Sequence, residues 1–450
     1  MYSMPHLVGF GDRPAVATRR SRAIEYKDNR RKASSAANGG TFWRSALAER
    51  VEKPSGGLPQ SAPPEKIQQT VDPRPHYVEV DALRGIAILG IIMTHAVALW
   101  YRRVQQPLTI PLLNIDLLEL FANSLGHFSL GVFILVSGYF LSWAEERRAR
   151  RGDYSLRGYA LRRILRIVPA YYVAIVIVFL LWPTEPTLTD TLLHLGLLQA
   201  FWPNYHASAY DPAWWYLTTE VVFYAMLPLL VLKLRGLYAR LALFGALLAA
   251  AVATHAYMEY LLTNTETLSK TYMAYLLTFP LIHLWMFMAG VLIRMLVDRL
   301  NERSPGTFRP ILTFSLFVGS LVLLILAPNV QFVRAAREDL HITVTVLLAI
   351  PFFVAAVLGS PVLSRILSWR LFAFVGIISY SLYLLHETVL MVIVRIYLWP
   401  LAKPLVRGLD GATVWIAFAG YAGVVLIVCG ALAYLSFRYI ESPFLRIRPK

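Results

Sequence analysis

The chain has 450 residues, of which 57% are hydrophobic and 16% charged, and its mean hydropathy is +0.53. Soluble globular domains carry about 25% charged residues, so this composition excludes an ordinary soluble protein and indicates a polytopic membrane protein. The net charge of +16 does not indicate nucleic-acid binding, because the basic residues cluster between apolar stretches, where they orient helices and meet anionic lipid.

The first 76 residues differ in composition from the rest of the chain and are rich in Arg, Ser, Pro, Gly and Ala. They contain thirteen Lys and Arg against seven Asp and Glu and show no sustained apolar period, which is typical of disorder. They also lack the apolar core and cleavage site of a signal peptide. We therefore predict a disordered, basic cytoplasmic tail over 1–76, a membrane domain over 77–443 and a short basic cytoplasmic C-terminus over 444–450.

The membrane domain contains ten apolar stretches, which predict an all-α fold with about ten transmembrane helices. The stretches cover approximately residues 82–101, 122–143, 165–182, 214–232, 240–262, 275–297, 309–327, 340–358, 372–398 and 412–436. With both termini inside, every strongly basic connection lies on the cytoplasmic side, so the positive-inside rule predicts N-in and C-in. The apolar piece 188–202 is short, and we predict that it is an interfacial or re-entrant segment.

The first apolar stretch contains two ionisable residues, Arg84 and His95. Eleven residues of helix return to within about 20° of the starting face, so both side chains point the same way, about 16 Å apart along the axis. Ionisable groups are expensive inside a membrane and usually have a function there. For His95, the alternative is a structural histidine bonded to a neighbouring helix.

Arg163 and Arg166 begin the third apolar stretch and share one helix face. Two guanidinium groups on one face suit phosphate oxygens, so they predict a site for a phosphate-bearing cytoplasmic donor. The alternative is that they only anchor the helix end at the membrane surface.

Glu220 is a lone carboxylate in the fourth apolar stretch, and Tyr224 lies one turn away on the same face. A carboxylate beside a histidine can hold its tautomer and stabilise the imidazolium that forms when the histidine accepts a proton. A structural bond between Glu220 and an arginine of another helix is the alternative.

Ser379, Tyr383 and His386 form a polar stripe on one face of the ninth apolar stretch. It either bonds an acceptor hydroxyl or holds helices together, because these residue types commonly bond between membrane helices. Ser137 has no G-x-S-x-G motif around it and is interpreted as a packing residue rather than a nucleophile. The scattered histidines have no metal-ligand spacing and no nucleotide-binding loop is present, so we predict neither a metal nor a permanently bound cofactor.

Five pieces of the chain, taken in order, resemble the membrane-bound acyltransferase-3 family. They are DALRG with the following His95, FILVSGYFL, RILRIVP, WYLTTEVVFY and SYSLYLLH, and the resemblance extends over about residues 78–443 to include the terminal ESPF. The chain has TTE where many relatives have an SVE-like run. Because it ends soon after the tenth stretch, we expect that it lacks the extracytoplasmic hydrolase-like domain of some relatives.

The resemblance implies a multi-pass protein of the bacterial plasma membrane that transfers an acyl group, often acetyl, from cytoplasmic acyl-CoA to a hydroxyl of a cell-surface carbohydrate or lipid-linked glycan. It implies His95 as the catalytic residue, Glu220 as its acidic partner, and Arg84, Arg163 and Arg166 as the acyl-CoA site. The candidates for the acceptor pocket are Ser137, Tyr224, Ser379, Tyr383 and His386. Membrane lipid and the proteins of surface-polysaccharide synthesis are the expected partners.

Two other functions are open from the residues alone. Intramembrane His, Glu and Arg would equally line the path of a proton-coupled or lipid-linked-glycan transporter, although no matching pair of interrupted spans is evident in the two halves. A non-catalytic scaffold in a polysaccharide-synthesis complex is the third possibility, and it predicts that loss of His95 is harmless.

Overall fold

The computed structural model of the protein describes residues 77–110, 115–181, 186–205, 210–264, 275–276, 278–303, 309–326, 338–406, 408–409 and 411–447. The predicted disordered tail and the last three residues lie outside this part of the chain. The prediction for the tail therefore stays a prediction.

Helices make up almost all of the described structure. They are α1 (Tyr77–Val104), α2 (Leu117–Leu120), α3 (Gly126–Arg150), α4 (Leu156–Leu181), α5 (Leu188–Leu195), α6 (Trp215–Leu232), α7 (Leu237–Asn264), α8 (Leu284–Arg303), α9 (Arg309–Leu326), α10 (Glu338–Val357), α11 (Pro361–Leu367), α12 (Arg370–Ile377), α13 (Ser379–Thr388), α14 (Trp399–Val406), α15 (Gly411–Ser436) and α16 (Ser442–Leu445). Short 3₁₀ turns cover Gln199–Phe201, Pro212–Trp214 and Pro280–His283, and π-helical turns cover Phe121–Leu125, Val389–Leu398 and Phe437–Glu441. The sheet found in the described residues is one antiparallel pair, β1 (Thr109–Ile110) with β2 (Ile115–Asp116).

Eight helices in the described part of the chain are long and apolar enough to cross a membrane, which confirms a multi-pass membrane protein. The helix pair Thr343–Val357 and Pro361–Leu367 is bent by 86° and gives a ninth span if it counts as one. The apolar helix Pro310–Ile325 is shorter than these. The predicted number of ten spans and the N-in, C-in orientation stay predictions.

Helix α1 lies at the centre of the fold and packs against α12, α3 and α13. Two glycines allow the closest approach, because a Cβ atom on Gly85 would overlap the carbonyl of Phe372 and one on Gly376 would overlap the carbonyl of Asp81. The resulting contact fixes α1, and with it Arg84 and His95, against the helix that precedes α13.

The segment predicted to be interfacial or re-entrant contains α5, whose eight residues rise about 12 Å and cannot cross a bilayer. Tyr172, in the middle of α4, donates a hydrogen bond of 2.9 Å to the carbonyl of Leu195. The next residues carry the chain further along α4, since Leu197 lines a groove together with Arg163 and Ile167. This segment therefore folds back along α4 rather than continuing away from it.

The ninth apolar stretch, predicted over 372–398 as one span, does not form one continuous helix. The helix breaks at Ile378 (φ −93°, ψ 8°), so that α12 and α13 are separate helices. Helix α13 then continues into the π-helical turns Val389–Leu398, and a second π-helical turn ends in Glu441. Extra residues in a helical turn rotate the side chains that follow, and such turns are frequent at functional sites.

Candidate active site

A histidine and a carboxylate from different helices meet in the membrane domain. The Nδ1 atom of His95 on α1 lies 3.0 Å from Oε2 of Glu387 on α13. The Glu387 side chain is buried, with 6% of its surface exposed, whereas the His95 side chain exposes 39%. If His95 donates from Nδ1 to the carboxylate, its Nε2 lone pair remains able to accept a proton.

His386 completes this group, which we name the histidine cluster (His95, His386 and Glu387). Its ring is buried and lies edge-on to that of His95, with 5.0 Å between centroids. Its Nδ1 atom is 2.8 Å from the carbonyl of Tyr383, and Nε2 has no hydrogen-bond partner among the described residues. The second histidine is thus oriented by the backbone of its own helix.

The histidine cluster has the atoms that a metal site would need. One ligand atom from each of the three residues lies within 4.8 Å of the others. Two imidazoles and a carboxylate are ligands that Zn²⁺ accepts. The prediction that the protein binds no metal therefore stays open to experiment.

Asp211, which precedes α6 in the chain, bonds the residue that follows the histidine cluster on α13. Its Oδ2 accepts hydrogen bonds from the backbone N–H (3.1 Å) and hydroxyl (2.8 Å) of Thr388, and its Oδ1 accepts one from Ala213 N–H (3.0 Å). Burial, together with the nearby charge of Glu387, raises the pKa of Asp211 to about 7. Asp211 thereby fixes the backbone of the residue that follows Glu387.

A second polar group surrounds a cavity of about 60 Å³, which we name the arginine cavity. Eight of the ten residues predicted for the site line it: Arg84, Ser137, Arg163, Arg166, Glu220, Tyr224, Ser379 and Tyr383. His95 and His386 are the other two and lie in the histidine cluster. The predicted residues therefore form two groups rather than one.

Arg166 makes an ion pair with Glu441, from the π-helical turn that follows α15. Glu441 is buried, and its other oxygen accepts a hydrogen bond of 3.0 Å from Ser381. The Arg166 guanidinium also lies over the ring of Tyr380, at 5.7 Å. The carboxylate of the terminal ESPF element therefore holds one of the predicted phosphate-binding arginines.

The other two arginines of the cavity have no carboxylate bonded to them in the described part of the chain. Arg163 lies between the rings of Tyr159 and Tyr224, at 5.9 and 5.4 Å, and its Nε has no hydrogen-bond partner there. Arg84 lines the cavity without an ion pair among the described residues. Three guanidiniums and one carboxylate, that of Glu220, line the cavity, and this excess of positive groups in the lining favours an anionic ligand.

The structure pairs Glu220 with Tyr224 and His95 with Glu387, so the predicted contact between Glu220 and His95 is not found, and a catalytic role of Glu220 stays a prediction. Its Oε1 accepts a hydrogen bond of 2.5 Å from the hydroxyl of Tyr224, one turn along α6. Both residues line the cavity near Arg84, whereas His95 lies about three helical turns further along α1. The partner of His95 is Glu387 instead, because α13 runs beside α1 at that level.

Two polar stripes connect the arginine cavity with the histidine cluster. Arg84 and His95 lie on one face of α1, and Ser379, Tyr383 and His386 lie on one face of α13. In each stripe the first residue lines the cavity and the last belongs to the cluster. Tyr383 joins the two groups, since it lines the cavity and its ring centroid is 5.8 Å from that of His386.

Ser137 has the surroundings of a packing residue. Its hydroxyl donates to the carbonyl of Phe133 in its own helix, at 3.1 Å. A Cβ atom on the adjacent Gly138 would overlap the backbone of Phe287 on α8. This part of α3 is therefore a close helix–helix contact at the wall of the cavity.

An apolar groove of about 350 Å³ runs between α4 and α6 beside the arginine cavity. The groove and the cavity share Arg163, Ile167 and Tyr224. The side chains of these residues therefore form the partition between them.

Sequence reasoning missed Glu387, Glu441 and Asp211. Glu387 follows His386 directly and is an ionisable residue inside an apolar span, the same signal that singled out Glu220. Glu441 belongs to the ESPF element that supports the family resemblance. Asp211 lies in a polar loop, and no pattern there indicates its contact with Thr388.

Comparisons with known proteins bear on these two groups. Comparison with curated proteins and with solved structures gives no match. The model of the acyltransferase domain family Acyl_transf_3 matches residues 77–434. This range includes the histidine cluster and the lining of the arginine cavity, and it ends before Glu441. The match covers well over half of the chain and agrees with its several apolar helices. The protein therefore belongs to the acyltransferase-3 family and is a membrane acyltransferase.

Proposed function

We propose that this protein is an O-acyltransferase that moves an acyl group, acetyl by resemblance, from cytoplasmic acyl-CoA to a hydroxyl of a cell-surface carbohydrate or lipid-linked glycan. The observation that carries the proposal is the pairing of two chemically different groups along α1 and α13. Arg84 lines a cationic cavity, and His95, which lies beside the carboxylate of Glu387, follows eleven residues later on α1, a helix rise of about 16 Å.

The arginine cavity supplies the chemistry that a phosphate-bearing donor needs. Arg84 and Arg163 have guanidinium N–H groups that no carboxylate of the described residues occupies, and Arg166 is held in place by Glu441. At about 60 Å³ the cavity is far smaller than typical ligand pockets of about 300–1,000 Å³. Donor binding therefore requires the side chains around Arg163 to move, toward the adjoining groove between α4 and α6.

His95 acts as the general base in this proposal. Glu387, whose Oε2 lies 3.0 Å from Nδ1, favours the tautomer that is protonated at Nδ1, so that Nε2 takes the proton from the acceptor hydroxyl as the hydroxyl oxygen attacks the thioester carbonyl. The new C–O bond forms, the C–S bond breaks, and the imidazolium returns its proton to the CoA thiolate. An acyl-histidine intermediate would use the same neutral imidazole, with the acyl group passing through Nε2.

The proposal is tested by removing the base and keeping the fold. His95→Gln retains a polar side chain that can bond Glu387 but cannot take up the proton. We expect the variant to insert, to bind acyl-CoA and to lose about 10²-fold to 10⁴-fold in acyl transfer. Substantial transfer by a well-folded His95→Gln protein would show that His95 is a structural residue that bonds a neighbouring helix and is not the catalytic base.

The acceptor is identified by mass spectrometry of surface glycans from a strain that lacks the gene and from the same strain complemented with the parent or with His95→Gln. We expect one acyl mass to disappear on deletion and to return only with the parent. Incubating the purified parent with a chelator before the assay tests the metal prediction separately, and unchanged transfer is the expected result.

A further inference from the structure

The structure contains a second cationic pocket, outside both groups of the active site. It has a volume of about 360 Å³ and lies where α3, α6, α7 and α8 meet, at ends of these helices predicted to face the cytoplasm. Five of its lining residues are arginines: Arg150, Arg235, Arg240, Arg294 and Arg299. We propose that this pocket binds the phosphate-bearing headgroup of an anionic phospholipid.

The pocket has more positive charge than its own carboxylates can neutralise. Glu146 pairs with Arg240 (2.7 Å) and more distantly with Arg150 (3.7 Å), and Asp298 pairs with Arg294. Five guanidiniums against two carboxylates leave a net charge of +3 on the lining. An anionic ligand would lower the repulsion among these groups.

Two of the arginines, Arg240 and Arg294, are buried and held in place by hydrogen bonds or an ion pair. Arg240 is buried and donates to the carbonyls of Leu230 and Leu234, at 2.9 and 2.7 Å, so it closes the end of α6. Arg294 is buried as well and is held by Asp298 one turn along α8. These side chains are already ordered, so binding a ligand against them costs little conformational entropy.

The exposed arginines provide the donors that remain. Arg235 uses only its Nε, which donates to the carbonyl of Val231 at 2.8 Å, and Arg299 bonds no group of the described residues. Both are exposed. Guanidinium groups bind phosphate oxygens through paired N–H donors, so these two side chains fit a phosphodiester.

Apolar side chains beside the pocket favour a lipid over a soluble nucleotide. Leu232 and Leu296 adjoin lining residues in sequence, and 43% and 46% of their surfaces are exposed. Leu229 and Leu300, on the same two helices, are exposed as well. Basic pockets between membrane helices on the cytoplasmic side bind anionic headgroups, and exposed leucines beside such a pocket would contact the acyl chains.

The test measures lipid binding by native mass spectrometry of the full chain in mild detergent, with added phosphatidylglycerol or phosphatidylcholine. We expect the parent to bind phosphatidylglycerol more tightly. The double variant Arg235→Gln/Arg299→Gln should lose about tenfold or more of this affinity and keep its binding of phosphatidylcholine. The matched control, Arg365→Gln/Arg370→Gln, changes two exposed arginines outside the pocket and should bind as the parent does.

Three results would overturn the assignment. They are equal binding of the two lipids by the parent, equal binding of phosphatidylglycerol by the parent and the double variant, and displacement of phosphatidylglycerol by adenosine 3′,5′-bisphosphate, which would make this a nucleotide site. If the double variant is unstable, Arg299→Gln alone gives the same test, because Arg299 holds no other described group. The readout does not depend on acyl transfer.

Discussion

The imidazole Nδ1 of His95 lies 3.0 Å from Oε2 of Glu387, so a carboxylate on α13 holds the histidine of α1. Histidine bases are commonly oriented by a third group that fixes one tautomer and stabilises the imidazolium. The pair joins two helices that are far apart in sequence. Glu387 and Glu220 therefore have different contacts: Glu387 lies beside the histidine, and Glu220 bonds Tyr224 near the arginines.

Glu387→Gln should therefore reduce acyl transfer by about 10²-fold or more, because the amide cannot stabilise the imidazolium as a carboxylate does. Acyl-CoA binding should stay close to that of the parent. Glu220→Gln is the comparison, since it changes a half-buried carboxylate that lines the arginine cavity and bonds Tyr224 instead of His95. Normal transfer by Glu387→Gln together with complete loss in Glu220→Gln would restore Glu220 as the partner in catalysis.

Arg163 and Arg166 should respond differently to replacement by alanine. Arg163→Ala should weaken acyl-CoA binding by about 1.5–3 kcal/mol and leave the fold intact, because its charge has no bonded carboxylate. Arg166→Ala should in addition lower the free energy of unfolding by about 3–5 kcal/mol, because it removes the arginine that pairs with the buried Glu441.

Melting temperatures in detergent and acyl-CoA binding, measured on both arginine variants, separate these effects. The double variant Arg166→Ala/Glu441→Gln should recover part of the lost stability, since the buried charge is gone. If both single variants bind acyl-CoA as the parent does, the arginines serve only as membrane anchors.

Gly376→Ala should destabilise the protein by about 1–3 kcal/mol, because the added methyl group would overlap the carbonyl of Asp81 and push α12 away from α1. Gly420→Ala on α15 is the control, since no described atom outside its own stretch of helix lies within 4 Å of the position that its Cβ would take. Thermal unfolding in the same detergent provides the comparison. Equal melting temperatures for the two variants would show that α1 and α12 can separate freely.

The pH dependence of stability should contain a contribution from Asp211. Its pKa is about 7 in the folded protein and near 4 when unfolded, so between these values the folded state holds a proton that the unfolded state releases. Asp211 should therefore lower stability as the pH rises from 4 to 7, by about 1.4 kcal/mol per pH unit. Asp211→Asn lacks this contribution. As the pH rises from 4 to 7, its melting temperature should therefore increase relative to that of the parent. Parallel pH profiles would contradict the assignment.

The predicted topology can be tested without an activity assay. Reporters fused after residues 152, 302 and 450 should read cytoplasmic, and reporters near 208 and 334 should read extracytoplasmic, because the basic loops stay inside. A cytoplasmic signal near 208 would mean that the segment containing α5 crosses the membrane.

The sequence by itself determined the class of protein and most members of the candidate site. Long apolar stretches must form helices in a membrane, where every backbone polar group needs a partner within the segment. Ionisable residues inside those stretches were recognisable for the same energetic reason, which singled out Arg84, His95 and Glu220. Helical periodicity placed Arg84 and His95 on one face, and Ser379, Tyr383 and His386 on another.

Only the tertiary structure decided which of these residues meet. Periodicity assigns a face within one helix, but it carries no information on which helix lies opposite or at what height along it. The carboxylate of His95 is Glu387 because Gly85 and Gly376 bring α1 and α12 into close contact and the chain then breaks at Ile378. The pairing of Arg166 with Glu441 depends likewise on a contact between residues 275 positions apart, which packing alone creates.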